Sequence, residues 1–190
     1  MNVKVITAIE DYVSQEGEIT CFLAGGITNC GEWQDKVIEY LQETEEDLKG
    51  LVIFNPRRKN FPINDPNASE EQITWEFNKL EECDIFSMYF VESESVQPIC
   101  LYELGRNLVR IEEKFPNDYS SRIVVTSEPK YSRLSDVIFQ TRLAIPNVKV
   151  NTLGTPEKHA NAIINSFKKV KKPNEKFLYT IKRITAKEGE

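Results

Sequence analysis

One short segment carries a carboxylate near the predicted start of a helix. Glu103 lies in the segment Leu-Tyr-Glu-Leu-Gly at residues 101–105, which opens a predicted helix after a predicted strand. A helix dipole favours negative charge at this end and keeps a carboxylate ionised, which suits a nucleophile better than an acid. A glutamate that only complements the dipole, worth about 0.3–1 kcal/mol, has the same position. Both roles for Glu103 are open at this point.

A second segment could bring backbone donors to a ligand. Gly25, Gly26 and Ile27 follow a predicted strand, and paired glycines let a ligand approach backbone N–H groups closely. The segment lacks the GxGxxG pattern and the P-loop lysine, which argues against dinucleotide and triphosphate binding. A tight turn after a strand explains the two glycines equally well.

Polar groups also follow the next predicted strand. Asn55, Arg57 and Arg58 supply an amide and two guanidinium groups, which could bind a phosphate or a carboxylate. Arginines are also common on surfaces, so a structural role is open. Trp75 and Glu76 lie within the following predicted helix, where a glutamate usually faces solvent.

The chain offers little for histidine or metal chemistry. His159 is the only histidine and is predicted on the surface of a late helix, so a Ser-His-Asp triad is not expected. The four cysteines form no CxxC pair and no ladder of zinc ligands, and we expect reduced thiols. We expect neither a metal nor a cofactor.

Short apolar runs alternate with longer amphipathic stretches, which predicts an α/β fold with a mostly parallel sheet and helices on both faces. Five buried strands are predicted, at residues 19–24, 51–55, 84–91, 122–126 and 148–151. Helices are predicted at residues 33–48, 69–82, 98–115, 134–143 and 156–170. Ligands of open α/β sheets bind at the carboxyl ends of the strands, so the polar segments are expected to meet there.

Local signals define some of the ends of these elements. Ser69 and Gln72 have the pattern of a capping box, and Thr155 followed by Pro156 places proline at a first helical position. Residues 3–9 and 177–184 have β-like composition outside the alternating series. These two segments could pair as an antiparallel addition to the sheet.

Length and charge restrict the remaining possibilities. A chain of 190 residues with 40% hydrophobic side chains fits one domain, 1–190, with its core at about 18–172. The net charge of −6 opposes binding to a nucleic-acid polymer. No run of about 18 apolar residues and no signal sequence is found, so we expect a cytoplasmic protein that does not bind membranes.

Five sequence blocks in order, LAGGIT with Trp33, FNPRR, ITWE, CDIFSMYF and PICLYELG, resemble the nucleoside 2-deoxyribosyltransferase-like family. The resemblance runs from about residue 22 to residue 105, with weaker similarity to about residue 150. It implies a flavodoxin-like three-layer sandwich with a five-stranded parallel sheet. It also implies cleavage of the N-glycosidic bond of a nucleoside or nucleotide, with the sugar passed to another base or to water.

The resemblance gives roles to the segments described above. Glu103 would attack the anomeric carbon and form a covalent glycosyl intermediate, as in a retaining glycosidase. Glu76 would help to place the sugar and assist proton transfer to the leaving base. Trp33 or Trp75 could stack on a base, although both also fit core positions. The implied substrate-binding residues are Gly25, Gly26, Ile27, Asn55, Arg57, Trp75 and Asp84.

The resemblance also bears on assembly and leaves alternatives. The family commonly completes its pocket with a neighbouring subunit, so we expect a homodimer or larger even homo-oligomer, with residues 126–133 reaching across. The chain lacks the family's Asp shortly before the ELG motif and has Val-Gln-Pro-Ile-Cys at residues 96–100, which leaves base recognition open. Two other functions fit the fold: a nucleotide-binding protein without turnover, and a module that binds flavin or a protein partner.

Overall fold

The computed structural model describes residues 3–62 and 64–171. These residues form one sheet of six parallel strands, built mainly from β-branched, aromatic and other apolar residues that favour extended backbone. The strands are β1 (Val3–Thr7), β2 (Ile19–Gly25), β3 (Leu51–Asn55), β4 (Ile85–Phe90), β5 (Ile123–Ser127) and β6 (Val150–Asn151). Strands β3, β4 and β5 are buried along their whole length, as in sheets covered on both faces.

Helices connect most of these strands. They are α1 (Trp33–Glu43), α2 (Ala68–Glu82), α3 (Pro98–Lys114), α4 (Tyr119–Arg122), α5 (Leu134–Ala144) and α6 (Pro156–Lys171). All five predicted helices are present, and α4 is an additional short one. Helix α1 ends at Glu43 instead of residue 48 because Thr44 has an extended backbone, and its N–H closes the last turn on Tyr40 O. Within the described part of the chain, no helix has the length and apolar character needed to cross a membrane.

The strand order determines where a ligand can bind. The order is β1-β3-β2-β4-β5-β6, so the five strands from β2 to β6 follow the flavodoxin-like order. The chain passes from β2 to β3 on one side and then returns beyond β2 to β4 on the other. This reversal is a topological switch point, and it leaves a crevice at the carboxyl ends of β2 and β4.

The expected five-stranded sheet with an antiparallel terminal pair is wrong in two respects. The sheet has a sixth strand, β1, and β1 is parallel to its neighbour β3, with Val3 opposite Leu51 and Thr7 opposite Asn55. The strands run parallel because residues 8–18 carry the chain back to the amino-terminal ends of the strands before β2 begins. Residues 177–184, the other half of the predicted pair, lie outside the described residues.

The connection between β1 and β2 packs against α2 without forming a helix. The indole N–H of Trp75 donates to the carbonyl oxygen of Glu10 at 2.9 Å. The ammonium group of Lys79 donates to the carbonyl oxygen of Tyr12 at 2.7 Å. These two bonds from α2 satisfy backbone acceptors that a crossover helix would have satisfied internally.

Two apolar cores lie on opposite faces of the sheet. Side chains of α2, α3 and α5 pack on one face, around Phe54 and Phe86. Side chains of α1 and α6 pack on the other face, around Tyr89 and Phe167. The result is a three-layer arrangement in which the sheet is the middle layer, as the resemblance implies.

The prediction that His159 lies on the surface is wrong, because its side chain is fully buried between α6 and the sheet. Its Nε2 lies 2.7 Å from the Ser87 hydroxyl oxygen and its Nδ1 lies 2.9 Å from the Thr126 hydroxyl oxygen. Burial lowers the pKa of His159 to about 3, so the imidazole is neutral at physiological pH. Both ring nitrogens contact hydroxyl groups and neither contacts a carboxylate, so this cluster is not a Ser-His-Asp triad.

Candidate active site

A cleft of about 220 Å³ opens at the carboxyl ends of β2 and β4, where the switch point leaves the crevice. Residues from four separate stretches of the chain line it, and both predicted catalytic carboxylates are among them. The lining residues that matter most for its chemistry are Gly25, Gly26, Ile27, Glu76, Gln97 and Glu103. The two carboxylates come from different helices, α2 and α3, that pack side by side on one face of the sheet.

The Gly25-Gly26 turn forms the wall nearest to β2. Gly25 has a φ of +153°, and a Cβ atom there would lie 2.4 Å from Tyr89 O and 2.5 Å from Trp33 Cζ2. A Cβ atom at Gly26 would lie 2.5 Å from Cys30 Sγ and 2.8 Å from Gln97 Oε1. Gly25 therefore excludes any larger residue, because one of its contacts is with backbone, whereas a larger residue at Gly26 would displace the side chains of Cys30 and Gln97. The turn passes closely between its neighbours and exposes backbone to the cleft.

Glu103 lies in the second turn of α3, because the helix begins at Pro98. The first turn contains no acidic residue, and a helix dipole acts mainly within that turn. Burial and, to a smaller extent, the negative charge of Glu76 together raise the pKa of Glu103 to about 7, against the opposing effect of Arg106. The expectation that the dipole keeps this carboxylate ionised is therefore wrong: desolvation dominates, and Glu103 titrates near neutral pH.

Glu76 faces the cleft from α2 and is held by a neighbouring amide. Gln72 Nε2 donates to Glu76 Oε1 at 2.9 Å and to the Pro56 carbonyl oxygen at 3.0 Å. Burial raises the pKa of Glu76, and the hydrogen bond from Gln72 lowers it by a smaller amount. The predicted capping box of Ser69 and Gln72 does not form. Helix α2 begins at Ala68, so the Gln72 side chain is available to bind Glu76.

Four other predicted substrate-binding residues do not line this cleft. Asn55 and Arg57 line a neighbouring groove of about 470 Å³ between α1 and the ends of β1 and β3. There Asn55 Oδ1 accepts a bond from Arg57 N at 3.0 Å, and Arg57 Nη1 donates to Gly31 O at 2.6 Å. Only Pro56, which lies between them in sequence, reaches the cleft.

Trp75 and Asp84 serve the fold. The Trp75 ring packs against Phe22 and Phe54 in the core, so it is not placed to stack on a ligand in the cleft. Asp84 precedes β4 at the amino-terminal ends of the strands, opposite the cleft, and its carboxylate accepts hydrogen bonds from the backbone N–H and the hydroxyl of Thr20. Trp33 is also a core residue; its indole N–H donates to Gly26 O at 2.8 Å and so supports the glycine turn.

The loop at residues 91–97 contributes two cleft residues that the sequence did not single out, Ser95 and Gln97. Gln97 is the N-cap of α3 and has a φ of +49°, and its Nε2 donates to Val91 O at 2.7 Å. This loop leads into the Val-Gln-Pro-Ile-Cys segment that stands where the resemblance leads us to expect an Asp. The amide of Gln97 is bound to its own loop. The sequence could have indicated this residue only through its position before Pro98, which begins the helix.

A second groove of about 480 Å³ between α2 and α3 adjoins the cleft and shares Glu76, Ile99 and Glu103 with it. Exposed apolar side chains line this groove, and the Arg106 guanidinium lies 4.1 Å from the centre of the Phe77 ring. Arg106 also pairs with Glu81. The carboxylate pair therefore lies between a small cleft and a wider apolar entrance.

Within residues 3–62 and 64–171, no group of three or more His, Cys, Asp or Glu side chains is arranged to hold a metal ion. All four cysteines are free and buried. The groups able to act on a ligand in the cleft are therefore the two carboxylates, the glycine-turn backbone and a few polar side chains.

The fold and the cleft together define a flavodoxin-like α/β protein with two carboxylates in one cleft at its switch point. The family described as nucleoside 2-deoxyribosyltransferase like matches residues 18–114, from β2 to the end of α3, and the match includes both carboxylates. The chain belongs to this nucleoside 2-deoxyribosyltransferase-like family, whose name points to glycosyl transfer on nucleosides. A comparison with curated proteins finds no match to the chain.

The raised pKa of Glu103 predicts a pH-dependent effect of Glu103→Gln on stability. The unfolded chain ionises this carboxyl near pH 4.5, whereas the folded chain does so near pH 7, so the native protein loses stability as the pH rises through this window. The amide has no such loss. In urea titrations, the free energy of unfolding of the variant should rise by about 1–3 kcal/mol relative to that of the unmodified protein as the pH increases from 4.5 to 8. The exposed control Glu112→Gln should show no such trend, and a flat difference for Glu103→Gln would contradict the assignment.

Proposed function

We propose that this protein cleaves the N-glycosidic bond of a nucleoside or nucleotide and passes the sugar to another base or to water. The observation that carries the proposal is the meeting of Glu103 and Glu76 in one cleft at the switch point. Two carboxyls whose pKa values are raised by burial, that of Glu103 also by the charge of Glu76, can act as a nucleophile and as an aid to proton transfer. Membership of the family supports the same chemistry.

The proposed reaction has two steps. In the first, the ionised carboxylate of Glu103 attacks the anomeric carbon as the carbon–nitrogen bond to the base breaks, and Glu76 assists the transfer of a proton from water to the departing base. The product is an ester between Glu103 and the sugar. In the second, a base nitrogen or a water oxygen attacks the same carbon, its proton passes to solvent with the assistance of Glu76, the ester bond breaks and Glu103 is released as a carboxylate.

The substrate we propose is a small molecule. The net charge of −6 disfavours a nucleic-acid polymer, and a cleft of about 220 Å³ is sized for part of one nucleoside. Of the loop at residues 91–97, only Ser95 and Gln97 line the cleft, and the amide of Gln97 is already bound to Val91. Base contacts through shape and the backbone are therefore expected to outweigh side-chain hydrogen bonds.

Glu103→Gln tests this proposal directly. The amide is isosteric with the carboxyl but is not a nucleophile, so base release should fall by roughly 1000-fold or more. Chromatography of released base, from a panel of ribo- and deoxyribonucleosides and their 5′-monophosphates with and without an acceptor base, measures it. Glu112→Gln, an exposed change on the same helix, is the matched control.

Full activity in Glu103→Gln would contradict the nucleophile assignment. A different result would favour the alternative function: if nucleotides raise the melting temperature of the unmodified protein but no donor releases its base, the protein binds nucleotides without turnover.

The charges around Glu103 predict opposite shifts in the pH dependence of base release. The nucleophile must be ionised, so kcat/KM should fall about tenfold for each pH unit below about pH 7. Removing the negative charge in Glu76→Gln should lower the pKa of Glu103 and move this decline to lower pH, even if the rate also falls. Removing the positive charge in Arg106→Gln should move it to higher pH. Equal shifts in one direction, or none, would contradict the electrostatic account.

A further inference from the structure

The loop at residues 91–97, between β4 and α3, forms one wall of the cleft through Ser95 and Gln97. Several of its side chains, including Glu92, Glu94 and Val96, are exposed and do not anchor it in a core. A loop of this kind keeps one conformation only if other groups satisfy its backbone. The anchoring groups come from the segment that follows β5.

Glu128 binds the start of the loop. Its Oε2 accepts a hydrogen bond from the backbone N–H of Glu92 at 2.7 Å, and its Oε1 accepts one from the Tyr89 hydroxyl at 2.8 Å. The backbone N–H of Glu128 donates to Phe90 O at 2.9 Å, which continues the pairing of β5 with β4. Hydrogen bonds to a carboxylate are stronger than neutral ones, so Glu128 is a firm attachment for the loop.

Tyr131 binds the far end of the loop. Its hydroxyl donates to Val96 O at 2.8 Å, and its ring stacks on Phe90 with centroids 4.9 Å apart. Tyr131 is only 3% exposed, so packing limits the movement of this hydroxyl. The segment at residues 126–133 thus turns inward onto its own chain at these two side chains.

Gln97 carries the effect of these attachments to the glycine turn. Its Nε2 donates to Val91 O at 2.7 Å, which joins the two ends of the loop. Its Oε1 lies against Gly26, where a Cβ atom would be only 2.8 Å away. A shift of the loop would therefore move a side chain that packs directly on the cleft wall and begins the helix of Glu103.

We propose that Glu128 and Tyr131 are positioning residues that hold the 91–97 loop as the wall of the cleft and thereby set substrate affinity. Neither residue lines the cleft, and both lie beyond the residues matched by the family, 18–114. They act through Ser95 and Gln97. The effect on affinity rests on the proposed function, whereas the attachment of the loop does not.

The test combines amide hydrogen exchange with steady-state kinetics for Glu128→Met and Tyr131→Phe. Each variant removes one attachment and keeps the size of the side chain. Exchange of the loop amides should rise about tenfold or more, with the amides of β2 unchanged. KM for the nucleoside or nucleotide substrate should rise about tenfold, while kcat and the pH of the acid decline change little.

Tyr119→Phe is the matched control, since it removes a hydroxyl contact with Asn147 away from the loop. It should change neither loop exchange nor KM. Unchanged loop exchange in both test variants would overturn the attachment, whatever the protein catalyses. Raised exchange with unchanged KM would overturn the role in affinity. If the unmodified protein releases no base, the dissociation constant of a nucleoside 5′-monophosphate replaces KM and decides in the same way.

Discussion

The burial of two carboxylates in one cleft is the constraint on which the rest of the site depends. Desolvation disfavours the charged form of each, and the negative charge of Glu76 further disfavours ionisation of Glu103, so both carboxyls ionise above their ordinary pKa. Two neighbouring side chains favour the ionised forms of these carboxylates. Gln72 donates to Glu76, and Arg106 adds a positive charge near Glu103. A pair of this kind is destabilising for the fold, and raised pKa values of this origin are typical of groups that act in catalysis.

The order of the strands creates the cleft in which the two carboxylates lie. The reversal of strand order at β2 leaves space at the ends of β2 and β4, and the helices that follow β3 and β4 bring the carboxylates to it from one face. The other face supplies rigidity. Trp33 and the buried His159 pack against Tyr89, whose hydroxyl contacts Glu128, so the core beneath the glycine turn is connected to the loop that walls the cleft.

Much of this fold could be predicted from the sequence, for physical reasons. The central strands are continuous apolar runs, and the predicted ends of β3 are confirmed, because strands buried on both faces tolerate few polar residues. The direction of β1 could not be predicted, because composition does not reveal where residues 8–18 cross the sheet. His159 was misassigned from its polar sequence neighbours, although its spacing to Ile163 and Phe167 places it on the buried face of α6.

The site was harder to predict than the fold, because its properties arise between elements. The sequence identified Glu103 and Glu76, but the pKa of Glu103 depends on how α2 packs beside α3. Gln97, Glu128 and Tyr131 belong to no sequence motif, and their importance comes from contacts across the ends of β4 and β5.

The most direct test of the proposed nucleophile is mass spectrometry of the protein quenched during turnover of a nucleoside without acceptor base. We predict one added glycosyl group on the peptide that contains Glu103; turnover with no adduct, or an adduct on another peptide, would contradict the account.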